Sequence, residues 1–242
     1  MQNHEFGLKS QWLDNRLIVN ASGFFYDLQG QQINKTVSGG PAGFGTIFEN
    51  AAETEAHGIE VEFFADVSDG FRLSGAISWL DSEYVDFLTK DPLDPNNIQT
   101  PGPTTFPGDP NGFNAAEPDI QLAGNPTRNS PEWTASFHAE YDIMGLSLPY
   151  DGYFTIMGDV LYKDDVFFTE FNRLIEGQDA YTLLDLNLRY TSGNEKLTAD
   201  LWVKNVTDEL VASSTFQLAT ARTIGVTYLP SRTFGVTIGY NF

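Results

Sequence analysis

The feature that most constrains this chain is the rhythm of its connections. Segments of period-two hydrophobic alternation recur along the 242 residues, and the stretches between them are short and long by turns. Residues 14–15, 68–70 and 191–195 make tight turns and 143–151 a medium one, whereas 30–52, 86–130, 164–179 and 207–230 read as long loops. A β-sandwich has no reason to place its long connections on every second turn. A barrel with one rim outside the cell does, because its outer loops are long and its periplasmic turns short. A structureless stretch as long as 86–130, with its repeated prolines, is also unusual inside a compact soluble domain. The expected fold is therefore all-β, an antiparallel transmembrane β-barrel.

The strands support this. In 232–242, Phe234, Val236, Ile238, Tyr240 and Phe242 alternate with Thr233, Gly235, Thr237, Gly239 and Asn241. A period of two sends the two sets to opposite faces, one toward lipid and one toward a polar lumen. Ile59, Val61, Phe63, Ala65 and Val67 are apolar against Glu60 and Glu62; Phe71, Leu73, Ile77 and Trp79 against Arg72; Leu184, Leu186, Leu188 and Tyr190 against Asp185, Asn187 and Arg189. Those charged and amide residues are candidates for the lumen. About nine strands result. The short-turn rim is the periplasmic one, so the last strand runs from Arg232 near the outer surface to Phe242 at the periplasmic rim. Single-chain barrels have even strand counts with both ends in the periplasm. An odd count, a start on the outer side and no secretory signal in Met1–Glu5 lead to the expectation that residues 1–242 are the C-terminal part of a larger barrel.

Composition removes several functions. The formal charge is −20 with only 13 Lys and Arg, so the basic footprint of a nucleic-acid-binding surface is missing. No apolar run is long enough for a transmembrane helix, and a mean hydropathy of −0.25 does not bear on barrel strands, which alternate. His4, His57 and His138 share no zinc spacing. Asp81, Glu83, Asp86, Asp91 and Asp94 cluster at the base of the longest loop; they offer the oxygen ligands calcium prefers but lack the order of an EF-hand, and a solvated acidic loop explains them as well. No metal or cofactor is assigned. No G-x-S-x-G or other nucleophile pattern occurs, so no enzyme is expected. Phe44, Phe48, Phe106, Phe113, Phe167, Phe168 and Phe171 lie in loops or at their bases, where aromatics either touch ligand or form the outer girdle.

Four segments carry a family resemblance. Asn50-Ala51-Ala52-Glu53-Thr54-Glu55-Ala56-His57-Gly58-Ile59-Glu60-Val61-Glu62 resembles the "NA…A…KGVEVE" strand entry of TonB-dependent outer-membrane receptors, with His57 in the usual Lys/Arg place. Gly124-Asn125-Pro126 followed by Asn129-Ser130-Pro131-Glu132-Trp133-Thr134 is similar to their "G…L.NAPKWT". Leu201-Trp202-Val203-Lys204-Asn205-Val206-Thr207-Asp208-Glu209 resembles "L.V.NLFDE", and Pro230-Ser231-Arg232-Thr233-Phe234-Gly235 leading to Phe242 resembles the "PR.YG…..F" terminus. Asn205 and Asp208 are expected to shape the exit from strand to loop.

The resemblance implies a barrel of about 22 strands, of which this chain holds the C-terminal portion, and an N-terminal plug that is absent from it. It implies energised uptake of a scarce ligand in the outer membrane of a Gram-negative bacterium, most often a ferric siderophore, through a TonB-type energy transducer that engages the plug. It implies as partners the membrane lipid, the plug with the remaining strands, and the barrel-assembly machinery, which would read Phe234, Tyr240 and Phe242. Glu60, Glu62, Arg72 and Arg189 together with the loop phenylalanines are the candidate ligand contacts. Two other readings remain at this stage: a complete small passive channel or adhesin, and a soluble β-sandwich binding module.

Overall fold

The computed structural model describes residues 2–38, 44–89, 91, 120–218 and 223–242. Strands β1 (Gln2–Trp12), β2 (Leu17–Ser38), β3 (Phe44–Ser68), β4 (Phe71–Thr89), β5 (Ile120–Gln121), β6 (Trp133–Ile143) and β7 (Tyr153–Lys163) follow in order. They are succeeded by β8 (Val166–Phe167), β9 (Gly177–Gln178), β10 (Tyr181–Thr191), β11 (Leu197–Lys204), β12 (Ala212–Leu218), β13 (Thr223–Tyr228) and β14 (Thr233–Tyr240). Helix is limited to two 3-10 turns, Pro149–Asp151 and Leu174–Glu176. One sheet runs β1-β2-β3-β4-β6-β7-β10-β11-β14, with β5 added beside β4. Every neighbouring pair in it is antiparallel. The nine-strand path is that of a partial barrel, and β1 and β14 are its two ends. A sandwich of two packed sheets is not what forms, so the soluble-module reading falls.

Register converts the sequence alternation into two continuous faces. One row crosses the sheet as Leu8, Ala21, Val61, Ile77, Ala135 and Tyr162. Another runs Ile143, Phe154, Tyr190, Ala199 and Ile238. Paired residues in a ladder share a face, so both rows lie on one face, which is apolar across its middle and carries His57 and Asp81 beyond Trp79. It is also uncovered: Phe6, Leu8, Ile59, Leu201, Phe234, Val236 and Ile238 are exposed, Phe234 at 77% and Ile238 at 72%. Each such side chain moved from water into hydrocarbon contributes about 1.5–3 kcal/mol, and the ladders satisfy the backbone as a membrane requires. Aromatic pairs mark the lower edge of the band: Phe154–Tyr190 at 5.8 Å and Tyr240–Phe242 at 5.3 Å between ring centroids, both edge-to-face. Across β4 and β6, Trp79 pairs with Trp133 at the upper edge.

The turns at 13–16, 68–70, 144–152 and 192–196 all lie on one rim, and the longer connections on the other. The short turns are locked. Arg16 donates to the carbonyls of Asp66 (3.1 and 2.8 Å) and Val67 (2.8 Å) across two turns. Gly70 adopts φ +78, which only glycine takes without strain, and its carbonyl accepts from the Asp142 amide at 2.8 Å.

The long connections differ from the sequence reading in two places. Residues 30–38 and 44–52 are strand rather than loop: β2 continues to Ser38 and β3 begins at Phe44, with register shifts near Leu28, Gln31 and Gln32, and 39–43 lie outside the described residues. Beyond the membrane both faces of a hairpin meet water, so its pairing needs no alternation and leaves none in the sequence. Within 207–230, β12 and β13 form a separate two-stranded hairpin. Of 86–130, β4 extends to Thr89 and β5 pairs back onto it; residues 92–119 lie outside the described residues.

Candidate functional site

Opposite the apolar face runs a wall of paired charges. Arg72 of β4 donates through Nε to Glu140 and through Nη2 to Asp142 Oδ2 at 3.0 Å, while Thr155 Oγ1 donates to Asp142 Oδ1 at 2.7 Å. Glu140 and Asp142 alternate on β6 and so fall beside Arg72 on one face. His138 Nδ1 lies 2.7 Å from Asp159 Oδ1, and its Nε2 lies 3.8 Å from Glu140. Arg189 Nε donates to Asp200 Oδ1 at 2.7 Å across the β10–β11 ladder. Asp185 accepts the Asn205 amide at 2.7 Å. Two open troughs follow this wall. One, of about 520 Å³, is lined by Glu62, Ser74, Ser136, His138, Asp159 and Asp185. The other, of about 680 Å³, is lined by Asn187, Arg189, Asp200, Trp202 and Lys204. The arrangement is a largely polar track in which Arg72 and Arg189 are already paired to carboxylates and Leu161 and Leu183 interrupt the polar lining, suited to hold a polar body by hydrogen bonds. Among the described residues of this wall no serine or threonine hydroxyl is hydrogen-bonded to a histidine.

Above the membrane band the connections gather into a platform. Ala52, Tyr84, Phe87 and Leu122 form its buried apolar centre, with Ile120 and Phe171 packed against it. Asn125 Nδ2 donates to the Glu170 carbonyl at 2.9 Å, and the Asn129 amide to the Phe167 carbonyl at 2.7 Å. Glu176, fully buried, accepts from Arg173 Nη1 (2.6 Å), Thr169 Oγ1 (3.1 Å) and Gln217 Nε2 (2.6 Å). At the exit of β11, Asn205 holds Glu209 by two bonds of 2.9 Å, and Asp208 accepts the Arg232 amide at 2.8 Å. Both take positive φ, 52 and 59, which asparagine and aspartate tolerate better than most residues. They shape the strand exit as their sequence context suggests.

Residues 1–206 match the sequence profile of the family described as TonB dependent receptor-like, beta-barrel. The chain belongs to this family. No curated protein matches it. Solved structures with the same fold include the siderophore receptor PiuA of Acinetobacter baumannii, 19% identical with a TM-score of 0.67 over 98% of this chain and 28% of that one. The ferric yersiniabactin uptake receptor FyuA of Yersinia pestis is 15% identical with a TM-score of 0.70, covering 99% of this chain and 30% of that one. The ferric preacinetobactin receptor BauA of A. baumannii is 19% identical at a TM-score of 0.64, over 99% and 29%. The chain thus spans less than a third of the length of these receptors. TonB-dependent receptors are outer-membrane transporters of Gram-negative bacteria, not enzymes.

On this TonB-dependent receptor barrel the sequence candidates fall as follows. Glu60, Glu62, Arg72, Asp185, Asn187 and Arg189 all lie on the face opposite the apolar one. Phe44 and Phe48 stand in β3 rather than a loop, with Phe48 78% exposed. Phe167 belongs to β8, Phe168 follows it, and Phe171 packs on the platform centre beneath Arg173. Phe106 and Phe113 lie outside the described residues. The acidic residues at the longest loop are not brought together. Asp81 faces outward beside His57 at 3.6 Å, Asp86 accepts from Gln121 at 2.8 Å, and Asp91 pairs with Arg173; Asp94 is outside the described residues. Glu176 and Arg173 went unnoticed in the sequence, because charges in a loop carry no periodic signal.

Proposed function

We propose that the full-length protein imports a scarce ligand across the outer membrane, and that the ligand is a ferric siderophore. The observation that supports this most is the pairing of an exposed apolar face with an inner wall that carries ion pairs on β4, β6, β7, β10 and β11, in a fold shared with siderophore receptors. In this reading the apolar face meets outer-membrane lipid. The inner wall, with Glu60, Glu62, Arg72 and Arg189, bears on the plug and on ligand in transit. Phe44, Phe48, Phe106, Phe113, Phe167, Phe168 and Phe171 contribute contacts at the outer mouth. The remaining strands complete the barrel, and a TonB-type transducer acts on the plug. Phe234, Tyr240 and Phe242 serve the barrel-assembly machinery.

The test is uptake of radioactive iron supplied as ferric hydroxamate and ferric catecholate complexes to cells with and without the full-length gene. Uptake that depends on the gene and stops when a protonophore collapses the inner-membrane proton gradient is expected. Gene-dependent uptake that persists with the protonophore indicates a passive channel instead. Uptake indifferent to the gene for every complex removes the iron assignment.

A further inference from the structure

The wall of paired charges belongs to the proposed transport path, but the most deeply buried ionised groups lie elsewhere, in the platform. Glu176 is fully buried and Asp91 is 2% exposed, and both meet one guanidinium. Arg173 donates Nη1 to Glu176 at 2.6 Å and Nη2 to Asp91. Its guanidinium carbon sits 4.7 Å from the centre of the Phe171 ring. These contacts span different connections. Asp91 follows β4, Arg173 and Glu176 belong to the connection between β7 and β10, and Gln217, the third donor to Glu176, belongs to β12. A second link runs parallel, since Gln178 Oε1 accepts the Ala212 amide at 2.7 Å. Phe171 anchors the same connection onto Tyr84, Phe87 and Leu122.

We infer that Arg173 and Glu176 form a latch that makes three external connections a single cooperative unit: the end of β4 with β5, the 164–180 connection, and the β12–β13 hairpin. An arginine suits this place. Two buried carboxylates face one cation, and a planar fork reaches both with donors on separate nitrogens held in fixed geometry. Without it the fully buried Glu176 carboxylate keeps the neutral donors Thr169 and Gln217 but no cation, and the bridge to Asp91 is cut, which favours opening. Glu176 then loses its geometry toward Gln217, so the disturbance reaches the hairpin although Arg173 does not touch it. Displacement of any one connection is therefore shared by the other two, and these three connections move in one piece rather than loop by loop. The inference is independent of which ligand is carried.

Hydrogen–deuterium exchange of the full-length receptor in lipid nanodiscs tests it. Arg173→Met keeps the aliphatic stem over Phe171 and removes both ion pairs. Exchange should rise on the order of a hundredfold in 83–89, 120–127, 169–178 and 212–218 together, while β6 stays protected. A rise confined to 169–178 overturns the inference. Gln217→Leu leaves every ionised group paired and the barrel undisturbed; it should free 212–218 and leave the end of β4 protected. Release of both regions by Gln217→Leu contradicts the proposed path. Arg173→Lys, a single-point donor, should give an intermediate increase, and wild-type protection in that variant overturns the need for a two-carboxylate bridge.

Discussion

Leu201→Arg distinguishes a lipid face from a wet one by magnitude. Leu201 pairs with Leu188 and Val236 and is 54% exposed, so the protein interior loses little when it changes. It stands four residues along β11 from Leu197, which pairs with Tyr240 near the periplasmic edge. At about 3.4 Å per residue and a tilt near 45°, that is roughly 10 Å of depth in an apolar band about 25 Å tall. Leu201 is therefore close to the middle. Arginine there costs about 2–4 kcal/mol in a bilayer, falling to about 0–1 kcal/mol near an interface. On a water-facing strand the same change is usually within about 0.5 kcal/mol. Urea unfolding of the full-length receptor in lipid vesicles, followed by tryptophan fluorescence, measures the difference. Leu201→Arg should cost several times what Tyr240→Arg costs. A Leu201→Arg variant as stable as wild type, or equal costs at both depths, refutes the placement of this face in hydrocarbon.

Arg72→Met leaves Glu140 and Asp142 facing each other, with Asp142 9% exposed. Because Arg72 itself is 34% exposed, the penalty is discounted to about 1–3 kcal/mol, and adding Asp142→Asn should recover part of it in the same unfolding assay. Two glycines on the apolar face should respond differently to alanine. A Cβ on Gly75 would lie 2.7 Å from the Ser136 carbonyl and 2.8 Å from both Phe63 and Phe137, whereas on Gly158 its nearest neighbour is Leu186 at 3.4 Å. Gly75→Ala should cost about 1–3 kcal/mol and Gly158→Ala less than about 0.5 kcal/mol. Deleting Phe242 should impair insertion of the full-length protein, read as reduced surface labelling of intact cells; unchanged display would count against its role as an assembly signal.

The sequence was legible where the membrane imposes a rule. In 232–242 and 71–79 each residue must face lipid or lumen, so alternation marks the strand and its two faces, while the register partners emerge only from the structure. The same rule exposed Glu60, Arg72 and Arg189 as inner residues. Where strands leave the membrane the rule lapses. Gly39, Gly40, Gly43 and Gly45 suggested a loop, yet β2 and β3 pair on either side of it, held by backbone hydrogen bonds that any side chain permits. The hairpin in 212–228 was missed for the same reason. The Arg173–Glu176–Asp91 cluster was invisible because Asp91 lies 82 residues from Arg173 along the chain and loop charges carry no periodic signal. Asp208 and Asn205 were the exception outside the membrane, since local side-chain bonding at positive φ leaves a signature within a few residues.

The central claim is that one face of every barrel strand meets lipid and the other does not. These 242 residues contain no cysteine, so once any cysteine elsewhere in the full-length receptor is replaced by serine, a spin label can be placed on single cysteines introduced one at a time from 233 to 241 in bilayers. Collision rates with oxygen, which concentrates in hydrocarbon, should peak at 234, 236, 238 and 240 and fall at the positions between them. Oxygen accessibility without a two-residue period along β14 would contradict the account.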